Sequence, residues 1–191
     1  MSMDSTQVRE FFDAHAGAWD EMHESFYDET VVEALALRCG LDGRGHVVDV
    51  GTGTGFVAGG LAGRAARVTG TDTSTGMLAQ ARTNLDGLGI DNVTLTEAPA
   101  DRIPLDDDSA DAAVANMVLH HAPDPAAMLA EMARVVRPGG TVAITDCMSH
   151  EHEWMRTEQA DVWLGFDREQ LAEWFAGAGL VGFDHAALGT A

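Results

Sequence analysis

The stretch Val47-Val48-Asp49-Val50-Gly51-Thr52-Gly53-Thr54-Gly55-Phe56 constrains this chain more than any other. Val47 to Val50 reads as a buried parallel strand, bounded by glycine on both sides. Gly51, Gly53 and Gly55 then form a turn. Glycine lets the backbone take positive φ and lets a ligand approach the main chain closely. From Phe56 to Arg64 the pattern turns helical. A strand, a glycine loop and a helix open a nucleotide-binding βαβ unit.

Spacing separates the pockets that share this opening. A dinucleotide fingerprint places glycine at the first, third and sixth positions, and the sixth here is Phe56. A phosphate-binding P-loop needs a lysine after its last glycine, and the chain has no lysine. That lack also excludes lysine Schiff-base chemistry. The remaining pattern, D-x-G-x-G-x-G at Asp49, Gly51, Gly53 and Gly55, resembles motif I of the class I S-adenosylmethionine-dependent methyltransferases. The resemblance implies S-adenosylmethionine as the cofactor and an α/β fold. That fold is a doubly wound, mostly parallel Rossmann-like sheet with helices on both faces.

Charge narrows the partners. The formal net charge is −20, from 31 acidic and 11 basic residues. Such a chain is repelled by nucleic acid and by anionic membranes, while a cationic ligand suits it. Two cysteines, Cys39 and Cys147, are too few for a disulfide framework and suggest a reducing compartment. The polar start, Met1 to Glu10, has no apolar signal core, and no apolar run approaches the ~20 residues of a membrane span. The expectation is a soluble cytoplasmic protein acting on a small-molecule acceptor.

Along the chain, Val8, Phe11, Phe12, His15 and Trp19 recur near helical spacing and predict one helix from Gln7 to Asp20, with a second from Glu29 to Arg38. The segment Ala14–Asp20 resembles the aromatic–Asp motif ahead of motif I in small-molecule methyltransferases, which implies that Trp19 helps close over the donor. On that reading residues 1–40 are an N-terminal helical lid segment and 41–191 the donor-binding part of a single domain. Arg67–Thr71 reads as the second strand, ending in Asp72. An acid about 20 residues past the glycine loop can accept hydrogen bonds from ribose hydroxyls. Asp72 also fits as the cap of a helix from Ser74 to Leu85. The family resemblance sets Thr73 and Met77 beside adenine, although Met77 has helical spacing that suits a core residue equally.

A third strand is predicted at Asn92–Glu97. The resemblance then assigns the adenine amino group to Asp101 and ring packing to Ile103, with Ala100 and Arg102 supplying backbone. A fourth strand, Asp111–Val118, should end where donor and acceptor meet, which singles out Asn116, Met117 and His121. The tandem His120 and His121 fit equally well as a helix-start loop or as buried imidazoles. If the acceptor is oxygen or carbon, a base is needed, and His121 is the candidate. Pro125 opens a helix to Val136, Arg137-Pro138-Gly139-Gly140 turns the chain, and Thr141–Cys147 forms the fifth strand.

From His150 to Gly179 the chain resembles methyltransferases of the ubiquinone/menaquinone-biosynthesis type. It is similar in particular to the methyltransferase half of proteins fused to an arsenic-repressor-like DNA-binding domain. No winged-helix segment precedes it, so no DNA contact is expected. His150, His152 and Glu153 offer metal-ligating types without closed ligand spacing, so no metal is assigned. Trp154 and Trp163 are read as apolar walls of an acceptor-side cap, and Asp167 as the cap of a helix from Arg168 to Ala178. Leu180–Leu188 can supply a sixth strand, and Gly189–Ala191 is too short for the family's seventh. The expectation is a six-stranded sheet, with Leu180–Leu188 paired to the fifth strand or that edge covered in a homodimer. Two other functions share the donor motifs: a non-catalytic S-adenosylmethionine sensor, and a nicotinamide-dependent oxidoreductase, which Phe56 opposes.

Overall fold

The central strand is buried from end to end, as its apolar run requires of a strand covered on both faces. In a computed structural model, which describes residues 3–23 and 29–188, the elements follow in order. They are α1 (Ser5–His15), α2 (Trp19–His23), α3 (Glu29–Arg38), β1 (His46–Val50), α4 (Phe56–Ala62), β2 (Arg67–Asp72), α5 (Thr75–Gly87) and β3 (Val93–Glu97). Then come β4 (Ala110–Asn116), α6 (Pro125–Val135), β5 (Val136–Thr145), α7 (Met155–Glu158) and α8 (Arg168–Gly177). The five strands pair in parallel in the order β3-β2-β1-β4-β5. Strand order reverses between β1 and β4, the position where open α/β sheets bind ligands outside their carboxyl ends.

The strands' two-residue alternation distributes the core. Val47, Ala112 and Val114 face α3 and α4, meeting Val31, Leu35, Val57 and Leu61. Val48, Val50, Ala113 and Ala115 face the other way, onto Met128, Leu129 and Met132 of α6 and the aromatic side chains of α8. Helices therefore cover both faces of the sheet.

Local chemistry moves several boundaries. The single helix expected from Gln7 to Asp20 is broken. His15 Nδ1 donates to the Phe11 carbonyl at 2.7 Å, and a 3₁₀ turn over Ala16–Ala18 leads into α2. β4 stops at Asn116 because Met117 takes φ of 55°, its N–H donating to the Thr145 carbonyl at 2.8 Å. Arg137–Gly140 does not precede β5 but lies within it. Strand pairing starts at Ala110–Val136, and the register shifts before Ala112–Thr141. Pro138 has no N–H for the ladder and is tolerated in such an irregularity.

The expected sixth strand does not form among the described residues: Leu180–Leu188 is irregular, and β5 pairs with β4 alone. Gly182 takes φ of 73°, which interrupts extended backbone. Side chains then fix the segment elsewhere. Phe183 packs edge-on against Phe175 and under the Arg168 guanidinium, and Asp184 forms an ion pair with Arg38 of α3. Of the apolar residues that suggested a strand, Phe183 packs on α8 while Val181 and Leu188 stay exposed.

Candidate functional site

A cavity of about 360 Å³ lies at the carboxyl ends of β1, β2 and β4. The glycine loop forms one wall. Gly51, Gly53 and Gly55 take φ of 69°, 55° and 85°, and a Cβ on Gly51 would stand 2.4 Å from the Val118 side chain. A Cβ on Gly53 would meet nothing within 4 Å, so the main chain there borders open space that a ligand can enter.

Two carboxylates, Asp49 buried and Asp72 half-buried, anchor this wall. Asp72, at the end of β2, accepts from Gly53 N–H at 2.9 Å and from Ser74 N–H at 2.9 Å. A carboxylate has about four acceptor positions, so two remain for hydroxyls. Burial raises the Asp72 pKa, and the N–H donors of Ser74 and Gly53 oppose that rise. Asp49 accepts from the Thr52 hydroxyl at 2.7 Å. Burial pushes its pKa up to about 7, with the charge of Asp72 adding to the rise.

The N-terminal helices reach over the loop. Asp13 of α1 accepts from the Ser74 hydroxyl at 2.6 Å and Gly76 N–H at 3.0 Å. Asp20 of α2 accepts from the Thr54 hydroxyl at 2.5 Å and the Asn84 amide at 2.9 Å. Between these two anchors Phe12 packs edge-on against both Trp19 and His121, with ring centroids 5.1 and 4.9 Å apart.

At the far end the chain after β5 folds back over the His120–His121 turn. Val162 and Trp163 N–H groups both donate to the His120 carbonyl, at 3.0 and 2.9 Å, and Trp163 Nε1–H donates to the Ala122 carbonyl at 3.0 Å. This docking brings in Asp161, which is 1% exposed and whose two side-chain oxygens have no hydrogen-bond partner. His120 Nδ1–H donates to Asp146 at 2.7 Å, and His120 Nε2 stands 3.7 Å from Asp161 Oδ1. Burial works against a charged ring at His120, yet the Asp146 carboxylate outweighs it and the pKa is raised. Burial also raises Asp161, against the pull of His120.

Of the residues singled out from the sequence, Trp19, Asp49, Gly51, Gly53, Asp72, Thr73, Met77, Ala100, Asp101, Asn116, Met117 and His121 line this one cavity. Gly55, Arg102 and Ile103 do not. Gly55 instead caps α4, and Arg102 is exposed. Ile103 is 2% exposed in the core, its N–H donating to Glu131 at 2.7 Å and its carbonyl accepting from Arg134. The residues that reasoning from sequence passed over are Asp146 and Asp161. Neither belongs to a motif: the β4–β5 pairing up to Asn116–Thr145 brings Asp146 beside His120, and the cap's long-range hydrogen bonds bring Asp161. Trp154 is exposed and outside the lining, whereas Trp163 packs into the core with Phe166 and Trp174. His150 and His152 stack 5.0 Å apart, away from the cavity lining.

Residues 48–144 match the model of a family described as a methyltransferase domain. The chain is 34% identical over 145 residues to the ubiquinone/menaquinone biosynthesis C-methyltransferase UbiE of Desulfotalea psychrophila, covering 73% of this chain and 57% of that one. It superposes on a Haloferax volcanii protein in complex with the Trm112 methyltransferase activator at a TM-score of 0.77 and 30% identity, covering 88% and 75%. It also superposes on the cyclase SpnF at 0.79 and 25%, covering 94% and 73%. The chain spans about half the length of the curated relatives it matches.

Proposed function

The chain belongs to the methyltransferase-domain family, and from that premise we propose that it transfers a methyl group from S-adenosylmethionine to a small-molecule acceptor. The observation that carries this reading is the convergence of Asp49, Asp72 and the glycine loop on a cavity that continues to His120, His121 and Asp161. Bound S-adenosylmethionine supplies a methyl group on a positively charged sulfur, already reactive toward nucleophiles.

The residues divide into two halves. Asp72 takes the ribose hydroxyls on its two remaining acceptor positions, and Asp49 orients the cationic amino-acid end. Thr73, Met77, Ala100 and Asp101 bound the base, while Asn116 and Met117 stand where the halves meet. Trp19 closes the cavity from the N-terminal side, as the lid segment of residues 1–40 over the domain of 41–191. The protein's contribution is chiefly proximity and in-line orientation. An oxygen or carbon acceptor also gives up a proton, and that work belongs to His121 and the His120–Asp146–Asp161 cluster beside it.

The remaining expectations belong to the same reading. No helix among the described residues is long and apolar enough to cross a membrane. The charge of −20 and the two cysteines favour a reducing cytoplasm and disfavour nucleic acid. A second copy of the chain along the open β5 edge is the proposed protein partner, which light scattering would read as a doubled mass. The test of function is calorimetry with S-adenosylhomocysteine and NAD, followed by transfer of a labelled methyl group to a panel of phenols, quinols, amines and thiols. Binding of NAD alone would refute the donor. Donor binding with no transfer to any acceptor class would favour a sensor.

A further inference from the structure

We propose that His120, His121 and Asp161 bind one divalent transition-metal ion of the zinc class at the acceptor end of the cavity. Each residue offers a ligand atom, and the three atoms lie within 4.8 Å of one another. Zinc–nitrogen bonds of about 2.0–2.1 Å in tetrahedral array place ligands roughly 3.4 Å apart. The His120 Nε2–Asp161 Oδ1 separation, 3.7 Å, is already close to that.

The hydrogen bonds around the three residues are those a metal site requires. His120 donates its Nδ1–H to Asp146, which turns the Nε2 lone pair toward Asp161. His121 donates its Nδ1–H to the Ala160 carbonyl at 3.1 Å. A carboxylate or carbonyl behind the imidazole is the usual setting of a ligating histidine, because it fixes tautomer and ring orientation. Asp146 is fully engaged in that supporting role: it also accepts from the N–H groups of Leu119 at 2.9 Å and Cys147 at 2.8 Å. Asp161 is the opposite case, buried with neither oxygen satisfied. An unpaired buried carboxylate is costly, and a neutral His120 would face it with a lone pair. Protonating His120 would offset one of the two carboxylates and leave the other; a divalent ion offsets both.

Ligand chemistry sets the class of ion. Two imidazoles and one carboxylate suit zinc, iron or cobalt, whereas calcium and magnesium prefer all-oxygen sets. Cys147 groups with His120 only through Asp146, whose oxygens are taken up by His120, Leu119 and Cys147 donors, so that alternative set lacks its carboxylate. With His121 ligating, the ion rather than a free imidazole lone pair would promote loss of an acceptor's proton, and three protein ligands would leave a fourth position open to that acceptor. Its use by an acceptor rests on the function proposed above; the binding of the ion does not.

The experiment is a titration of chelator-treated protein with Co²⁺ and Zn²⁺, read by visible absorption and by competition with a chromophoric chelator. The expected result is one ion per chain, no thiolate-to-cobalt band, and affinity at least tenfold weaker in Asp161→Asn and in His121→Gln. Far-UV circular dichroism and cooperative melting should be unchanged in both variants, which certifies their fold separately from the ion and from the donor. Three results would overturn the proposal: no stoichiometric binding; a thiolate band, which puts the ion on Cys147; or binding lost in His150→Ala/His152→Ala and kept in Asp161→Asn, which puts it on the His150–His152 pair.

Discussion

At the scale of single residues, two carboxylates carry the donor site and behave differently. Asp72 holds the loop by accepting from Gly53 and Ser74 while keeping acceptor positions for the ligand. Charge-assisted hydrogen bonds contribute about 1.5–3 kcal/mol each. Asp72→Ala should therefore weaken S-adenosylhomocysteine at least about tenfold by calorimetry, and Asp72→Asn less, because one accepting oxygen stays. An unchanged affinity in a folded variant would remove the ribose assignment. Asp49 is governed by burial, which holds its pKa at about 7. Below that pH the unliganded site is protonated, whereas the cationic end of the ligand calls for the carboxylate. Affinity should rise with pH from about 5.5, by at most about tenfold per unit, and level off above pH 7. Asp49→Asn should flatten that rise; a slope that survives in Asp49→Asn belongs to another group.

At the scale of elements, the lid prediction follows from how α1 and α2 are tied down. Asp13 holds the start of α5 through Ser74 and Gly76, and Asp20 holds the glycine loop at Thr54 and α5 at Asn84. Two of these contacts are exposed and two half-buried, and water can replace each on opening, so the segment can open locally without global unfolding. With 5-fluorotryptophan incorporated, the Trp19 resonance, assigned by its loss in Trp19→Phe, should shift on donor binding. Asp13→Ala/Asp20→Ala should speed donor release several-fold and expose residues 1–23 to protease. A silent Trp19 resonance would make these helices fixed core. The elements most legible in the sequence are those with local causes. β1 is marked by its apolar run, the loop by its glycines, α6 by Asp124 accepting from Ala127 N–H and by Pro125 in the first turn. The end of β4 at Asn116, the early start of β5 and the irregular tail depend on partners far along the chain, Thr145, Ala110 and Arg38 among them. The acceptor end was hidden for the same reason: Asp161 is 41 residues past His120, and only the cap's hydrogen bonds to the His120 and Ala122 carbonyls join them.

At the scale of the whole molecule, the −20 charge acts on stability and on binding with opposite sign. Six of the eleven arginines form ion pairs among the described residues: Arg38 with Asp184, Arg44 with Asp42, Arg64 with Glu33, Arg134 with Glu131 and Asp107, Arg137 with Asp111, and Arg156 with Glu153. The surplus acids therefore repel one another without local compensation, which works against the compact state. Raising salt from about 0.02 to 0.5 M contracts the Debye length from roughly 20 Å to under 5 Å and quiets that repulsion. The exposed ion pairs weaken too, but each contributes only about 0–1 kcal/mol. Repulsion is the larger effect, so the melting temperature should climb by roughly 4–8 °C, equivalent to about 2 kcal/mol for a chain of this size. The same screening weakens attraction for a cation. S-adenosylmethionine carries a sulfonium charge that S-adenosylhomocysteine lacks. Its affinity should fall about two- to fivefold over this range while that of S-adenosylhomocysteine stays nearly constant. A melting temperature that drops with salt would show that the paired arginines outweigh the surplus acids. Parallel salt dependence of the two ligands would show that Asp49 and Asp72 do not respond to the donor's charge.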